Sequence, residues 1–171
     1  PISGNSLRKI FQISSSSSIM EYLSYFVDAY LFFFVSKFSY ANKVQLINPK
    51  KIYCIDNGFI KTNSMSFSED NGRLLENMVF LHLRRLTTEI YYFSEKIECD
   101  FVVLQQGKIK GLFQVCWLLD QYSTDREISG LLEAMNYFGI STATIITNNQ
   151  TDTFLIEGKT ITIKTFFEWE N

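Results

Sequence analysis

Apolar residues recur every three or four positions through residues 19–34. There Ile19, Leu23, Phe26, Val27, Tyr30, Leu31 and Phe34 line one side of an amphipathic helix. A shorter helix is expected at 3–11, with Leu7, Ile10 and Phe11 on one side. The serine run at 14–18 between them reads as a turn and a helix cap, and Ser18 with Glu21 has the spacing of a capping box. A strand is expected at 35–40. Two short helices, a polar turn and a strand follow the order of a small winged helix-turn-helix lobe, which places a first domain at 1–47.

The pattern changes after Asn48. Residues 51–56 alternate as a strand and stop at Asn57-Gly58, a turn signal. A helix is expected at 72–86, where Leu74, Leu75, Met78, Val79, Phe80, Leu81 and Leu83 surround the axis and imply burial on nearly every side. Strands follow at 89–94, 98–104 and 108–117, the last two joined by a tight hairpin at Gln105-Gln-Gly107. Residues 124–138 form a helix with Ile128, Leu131, Leu132, Met135 and Phe138 on one face, ended by Gly139. Strands at 142–147, 153–157 and 160–166 close the chain, with a hairpin at Glu157-Gly158. A helix that connects one strand to the next favours a mixed sheet flanked by helices, an α/β (α+β) domain at 48–171.

Composition narrows the picture. The 171 residues are 46% hydrophobic and 16% aromatic, which excludes a disordered chain. The net charge of −2 shows no basic excess of the kind a dedicated nucleic-acid binder carries. Cys54, Cys99 and Cys116 stand far apart in strand-like runs, form no Cys-x-x-Cys pair and have one histidine for company, so free thiols in a reducing, cytoplasmic compartment are expected. The most apolar run, 29–35, is about half a bilayer span, so no membrane association is expected. A chain that begins at Pro1 reads as a piece of a longer protein.

Candidate chemistry is sparse. There is no Gly-x-x-x-x-Gly-Lys-Ser/Thr loop, no Gly-x-Gly-x-x-Gly and no Gly-x-Ser-x-Gly. His82 has no evident nucleophile partner and reads as a core or half-buried helix residue. What remains is Glu76 on the buried helix, Asp100 inside the hydrophobic run Cys99-Asp-Phe-Val-Val-Leu104, and Gln114-Val-Cys116 on the next strand. A carboxylate in such a run needs a partner. Alternation puts Asp100, Val102 and Leu104 on one face of their strand, and Gln114 and Cys116 share a face of the adjoining strand, so Glu76, Asp100 and Gln114 are expected to converge.

This ordering of helix acid, strand acid and third-strand motif resembles the PD-(D/E)xK, restriction-endonuclease-like nucleases. More closely, Ile52-Tyr-Cys-Ile-Asp-Asn-Gly58, Gly72-Arg-Leu-Leu-Glu-Asn-Met-Val-Phe80, Glu98-Cys-Asp-Phe-Val102 and Gln114-Val-Cys116 look like the C-terminal domain of bacterial and archaeal AAA-type ATP-binding proteins, catalogued as domain of unknown function 4143. The resemblance implies an ATPase domain upstream as a partner, using ATP and Mg²⁺, with no cofactor in this chain. It makes Glu76 and Asp100 the metal-binding acids. Gln114 then stands where the second metal-binding carboxylate belongs, and Cys116 where the lysine belongs. A neutral amide weakens a site for a hard cation, and a thiol supplies no positive charge to the phosphate. Lys108 and Lys110 share that strand, and Arg73 and Arg84 share the helix of Glu76.

The expected function is therefore a non-catalytic, degenerate nuclease-like module for nucleic-acid or partner binding. An active metal-dependent DNA endonuclease and a structural or oligomerisation domain stay open as alternatives, with DNA and a second copy of the chain as candidate partners.

Overall fold

The computed structural model describes residues 1–63 and 70–170, and the chain divides into two compact units, Pro1–Met65 and Ser66–Asn171. It is a mixed α/β protein with a mixed sheet flanked by helices.

Unit 1 contains α1 (Gly4–Phe11), α2 (Ser16–Asp28), β1 (Phe32–Lys37), α3 (Asn42–Ile47), β2 (Lys51–Cys54) and α4 (Asn57–Asn63). Ser3 caps α1 in a reciprocal box with Ser6. The cap of α2 is Ser15, whose hydroxyl accepts the Ser17 N–H at 3.2 Å, rather than Ser18 with Glu21. Any residue of a serine run can supply that hydroxyl, so the backbone turn decides which one does. The helix ends at Asp28, not near Phe34. Tyr30 adopts a left-handed backbone (φ 58°), and the chain then extends into β1 at Phe32, three residues earlier than expected. The apolar run 31–35 satisfies both helical and strand periods, and the turn at Tyr30 decides between them. β1 and β2 pair antiparallel, with Phe32 opposite Cys54, so the strand at 51 belongs with the first unit. Asn57-Gly58 opens a helix instead of a turn, because the Asp56 carboxylate accepts the Phe59 N–H at 3.0 Å and caps α4.

Unit 2 contains α5 (Asn71–Leu86), β3 (Ile90–Ser94), β4 (Glu98–Gln105), β5 (Lys108–Val115), α6 (Ser123–Phe138), β6 (Thr142–Thr147), β7 (Asp152–Ile156), β8 (Lys159–Thr165) and α7 (Phe166–Glu170). Its strands follow the order β3-β4-β5-β6-β8-β7. β3, β4 and β5 form an antiparallel meander, α6 carries the chain to the parallel partner β6, and β8 joins parallel to β6 with β7 antiparallel at its side. Asp70 caps α5, and Gly139 (φ 66°) ends α6 with its N–H on the Met135 carbonyl.

Packing fixes both helices on the sheet. Phe80 of α5 stacks on Phe101 of β4, with Val79 and Leu83 buried beside it. On α6, Leu131, Ala134 and Met135 are fully buried, and Gly130 meets β4 so closely that an added Cβ would lie 2.4 Å from the Glu98 carbonyl oxygen. Only glycine permits that approach. Among the described residues no helix is long and apolar enough to cross a membrane.

Candidate functional site

β4 and β5 keep their ladder as far as Phe101 opposite Phe113. Beyond that pair, side chains replace the backbone bonds. The Gln114 side-chain oxygen accepts the Asp100 N–H at 3.0 Å, and the Asp100 carboxylate accepts the Val115 N–H at 2.9 Å. Two main-chain donors that the parting strands would orphan are thus satisfied reciprocally. The expected meeting of Asp100 with Gln114 is realised, and both are buried.

The route to that meeting differs from simple alternation. Tyr91 faces Val102 and Phe93 faces Cys99, so Asp100 and Phe101 together oppose Tyr92. A second register shift separates Val103 from Leu104. These irregularities interrupt the two-residue period that put Asp100, Val102 and Leu104 on one face.

The third member comes from α6. The Gln114 amide nitrogen donates to Oε2 of Glu127, which is only 4% exposed. The guanidinium of Arg126 donates to Oε1 of the same carboxylate through Nε, at 3.1 Å, and through Nη2. Glu127 holds the Arg126 pKa above its ordinary value by this hydrogen bond and by its charge, and the Asp100 charge adds to the effect. The side chain of Arg126 is 72% exposed, so its far side faces solvent.

Cys116 follows β5, with its N–H on the Ile146 carbonyl and its thiol donating to the Leu118 carbonyl at 3.2 Å. Burial pushes its thiol pKa up, and the Glu127 charge pushes it further. Hydrogen bonding with the Ser123 side chain and with the Leu118 backbone, and the charge of Arg126, pull the other way without cancelling the rise. At neutral pH this position holds an uncharged thiol.

Glu76 lies on α5, half-buried between buried Leu75 and Asn77, while the bonds that join Asp100, Gln114 and Glu127 are made from β4, β5 and α6. Among the described residues no group of three or more His, Cys, Asp or Glu side chains is arranged to hold a metal ion. Lys108 and Lys110 start β5, and four to six residues of strand put them about 13–20 Å from Gln114. Arg73 pairs with Asp70 at 3.1 Å, and Arg84 stands about 16 Å further along the α5 axis. His82 is half-buried, with Nδ1 3.6 Å from the Glu170 carboxylate and its ring against Trp169.

Arg126 and Glu127 belong to none of the sequence motifs. The signal for Glu127 was present: it precedes Leu131 by four residues and Ala134 by seven, which puts an acid on the buried stripe of α6.

No protein-family model matches the chain, and no solved structure matches it. Over 136 residues, 77% of its length, the chain is 39% identical to the uncharacterized protein MJ1544 of Methanocaldococcus jannaschii. It spans about 30% of the length of that relative.

Proposed function

We propose that this chain is a non-catalytic, nuclease-like C-terminal module of a longer, AAA-type ATP-dependent protein, and that it serves as a platform for nucleic-acid or partner binding. The carrying observation is the closed chain of bonds from Val115 to Asp100, Gln114, Glu127 and Arg126. A metal-dependent nuclease presents carboxylate oxygens to a cation and a positive charge to the phosphate. Here one Asp100 oxygen accepts the Val115 N–H, a neutral amide links the Asp100 main-chain N–H to the Glu127 carboxylate, and Glu127 already has its cation. The network fastens α6 to the parting ends of β4 and β5, which is a structural use of the same residue positions.

The match to about 30% of a longer archaeal relative supports reading the chain as one module of a larger protein. The net charge of −2 favours a partner protein over a phosphate backbone.

The test is supercoiled plasmid incubated with the chain and Mg²⁺ or Mn²⁺, beside Asp100→Ala and a Gln114→Glu/Cys116→Lys double variant. The expected result is no nicking by the unaltered chain. Metal-dependent nicking that disappears in Asp100→Ala would establish an active endonuclease and overturn the reading.

A further inference from the structure

The α1–α2 hairpin of unit 1 exposes an unusual surface for a pair of short helices. Tyr22, Tyr25 and Phe26 of α2 are 54%, 56% and 42% exposed. Their spacing of i, i+3 and i+4 makes one stripe. Glu21 and Asp28 border it, and the Tyr25 hydroxyl donates to the Glu21 carboxylate at 2.7 Å. No Lys or Arg occurs anywhere in α2. A helix of that composition is unsuited to a phosphate backbone, since nothing on it would displace counterions.

α1 packs on α2 and has the opposite character. None of its residues is buried. Ile10 and Phe11 are 69% and 65% exposed, Arg8 and Lys9 precede them in solvent, and the helix contains no acid. One hairpin therefore carries an aromatic stripe edged by two carboxylates and an apolar end edged by two cations. Exposed apolar groups edged by charge in this way mark an association surface. The two halves complement each other in sign and in apolar content, and a twofold axis satisfies both at once, because whatever α1 of one chain gives to α2 of the other is returned.

We propose that the α1–α2 hairpin is a homodimer interface, in which Arg8, Lys9, Ile10 and Phe11 of one copy dock on the Glu21–Asp28 edge and the Tyr22/Tyr25/Phe26 stripe of a second copy. The occupant is chosen by charge complementarity within the chain itself. The inference concerns unit 1 alone and does not depend on the inactivity of the cluster in unit 2.

Sedimentation velocity across micromolar to sub-millimolar concentrations tests it. The unaltered chain is expected to pass from the mass of one chain to that of two. The variants Glu21→Lys/Asp28→Lys and Arg8→Glu/Lys9→Glu should each weaken self-association by about tenfold or more, because each confronts like charges with like. Mixed together, the two variants should form a heterodimer, since both contacts are again complementary. The milder pair Glu21→Gln and Arg8→Gln, which leaves the folding of exposed helices undisturbed, should each weaken association by a few-fold. A chain that stays monomeric throughout, neutral or swapped variants that associate as tightly as the parent, or a mixture that does not pair would overturn the proposal.

Discussion

Unit 1 is somewhat richer than unit 2 in aromatic and aliphatic residues along the sequence, and the two units place them differently. In unit 2, Val79, Phe80, Phe93, Phe101, Val102, Leu112, Leu131, Met135, Ile145, Ile146 and Ile161 are all but sealed from water, packed between helices and sheet. Among the described residues of unit 1 the buried apolar ones are Ile19, Val35, Phe38, Tyr53 and Cys54, while Ile10, Phe11, Tyr22, Tyr25, Tyr30, Tyr40, Leu46 and Ile47 stand in solvent. The first arrangement fits a self-sufficient core. The second fits a surface completed by association. Hydrophobic content alone therefore does not measure stability; the layer that receives it does.

The largest expected contrast is in side-chain deletion. Leu131→Ala removes a fully buried side chain and should lower the unfolding free energy by about 3–5 kcal/mol, whereas Leu46→Ala on α3, 74% exposed, should change it by less than about 0.5 kcal/mol in the monomer. Urea unfolding of the two variants measures both. Equal costs would erase the distinction between the units.

Gln114→Glu sharpens the account of unit 2. It sets a third carboxylate between buried Asp100 and Glu127 and removes the amide donor, at an expected cost of about 3 kcal/mol at neutral pH. Acidification that protonates the new carboxyl should recover part of that loss. A variant as stable as the parent at pH 7 would mean that the cluster holds a cation able to offset the added charge. Gly130→Ala should cost about 1–3 kcal/mol, because the Cβ meets a backbone oxygen and α6 must lift from β4.

The smallest effect is at Cys116. Its thiol titrates above the ordinary value of 9.0 in the folded chain. As pH rises past 9.0 the unfolded chain loses its proton first, so stability falls through the window between the two titrations and stays lower above it. Alkylation by iodoacetamide should be slower in the folded than in the unfolded chain. Glu127→Gln should speed it by a few-fold and Arg126→Ala should slow it, as the signs of those charges require.

Long elements with an unambiguous period were legible from the sequence. α5, α6 and the strands of unit 2 emerge from apolar spacing, and Gly139 marks its helix end by the left-handed backbone it adopts. The pattern assigns no element to α3 or to the residues of α7 after Phe166, because one or two turns carry too little periodicity. α4 was hidden by Asn57-Gly58, a pair that signals a turn until Asp56 caps it. Within the site, the Asp100–Gln114 meeting followed from a charge that had to find a partner. Glu127 did not, since its place on the α6 stripe became significant only once α6 lay over β5.

The central claim is that the acceptors of the Asp100–Gln114–Glu127 cluster are committed to the fold rather than to a cation. Calorimetric titration of Mn²⁺ into the unaltered chain, with Asp100→Asn as the comparison, addresses it most directly. The account predicts binding no tighter than about 1 mM, of the kind scattered surface carboxylates give, and the same heats from Asp100→Asn. A saturable micromolar site in the unaltered chain that vanishes in Asp100→Asn would contradict it.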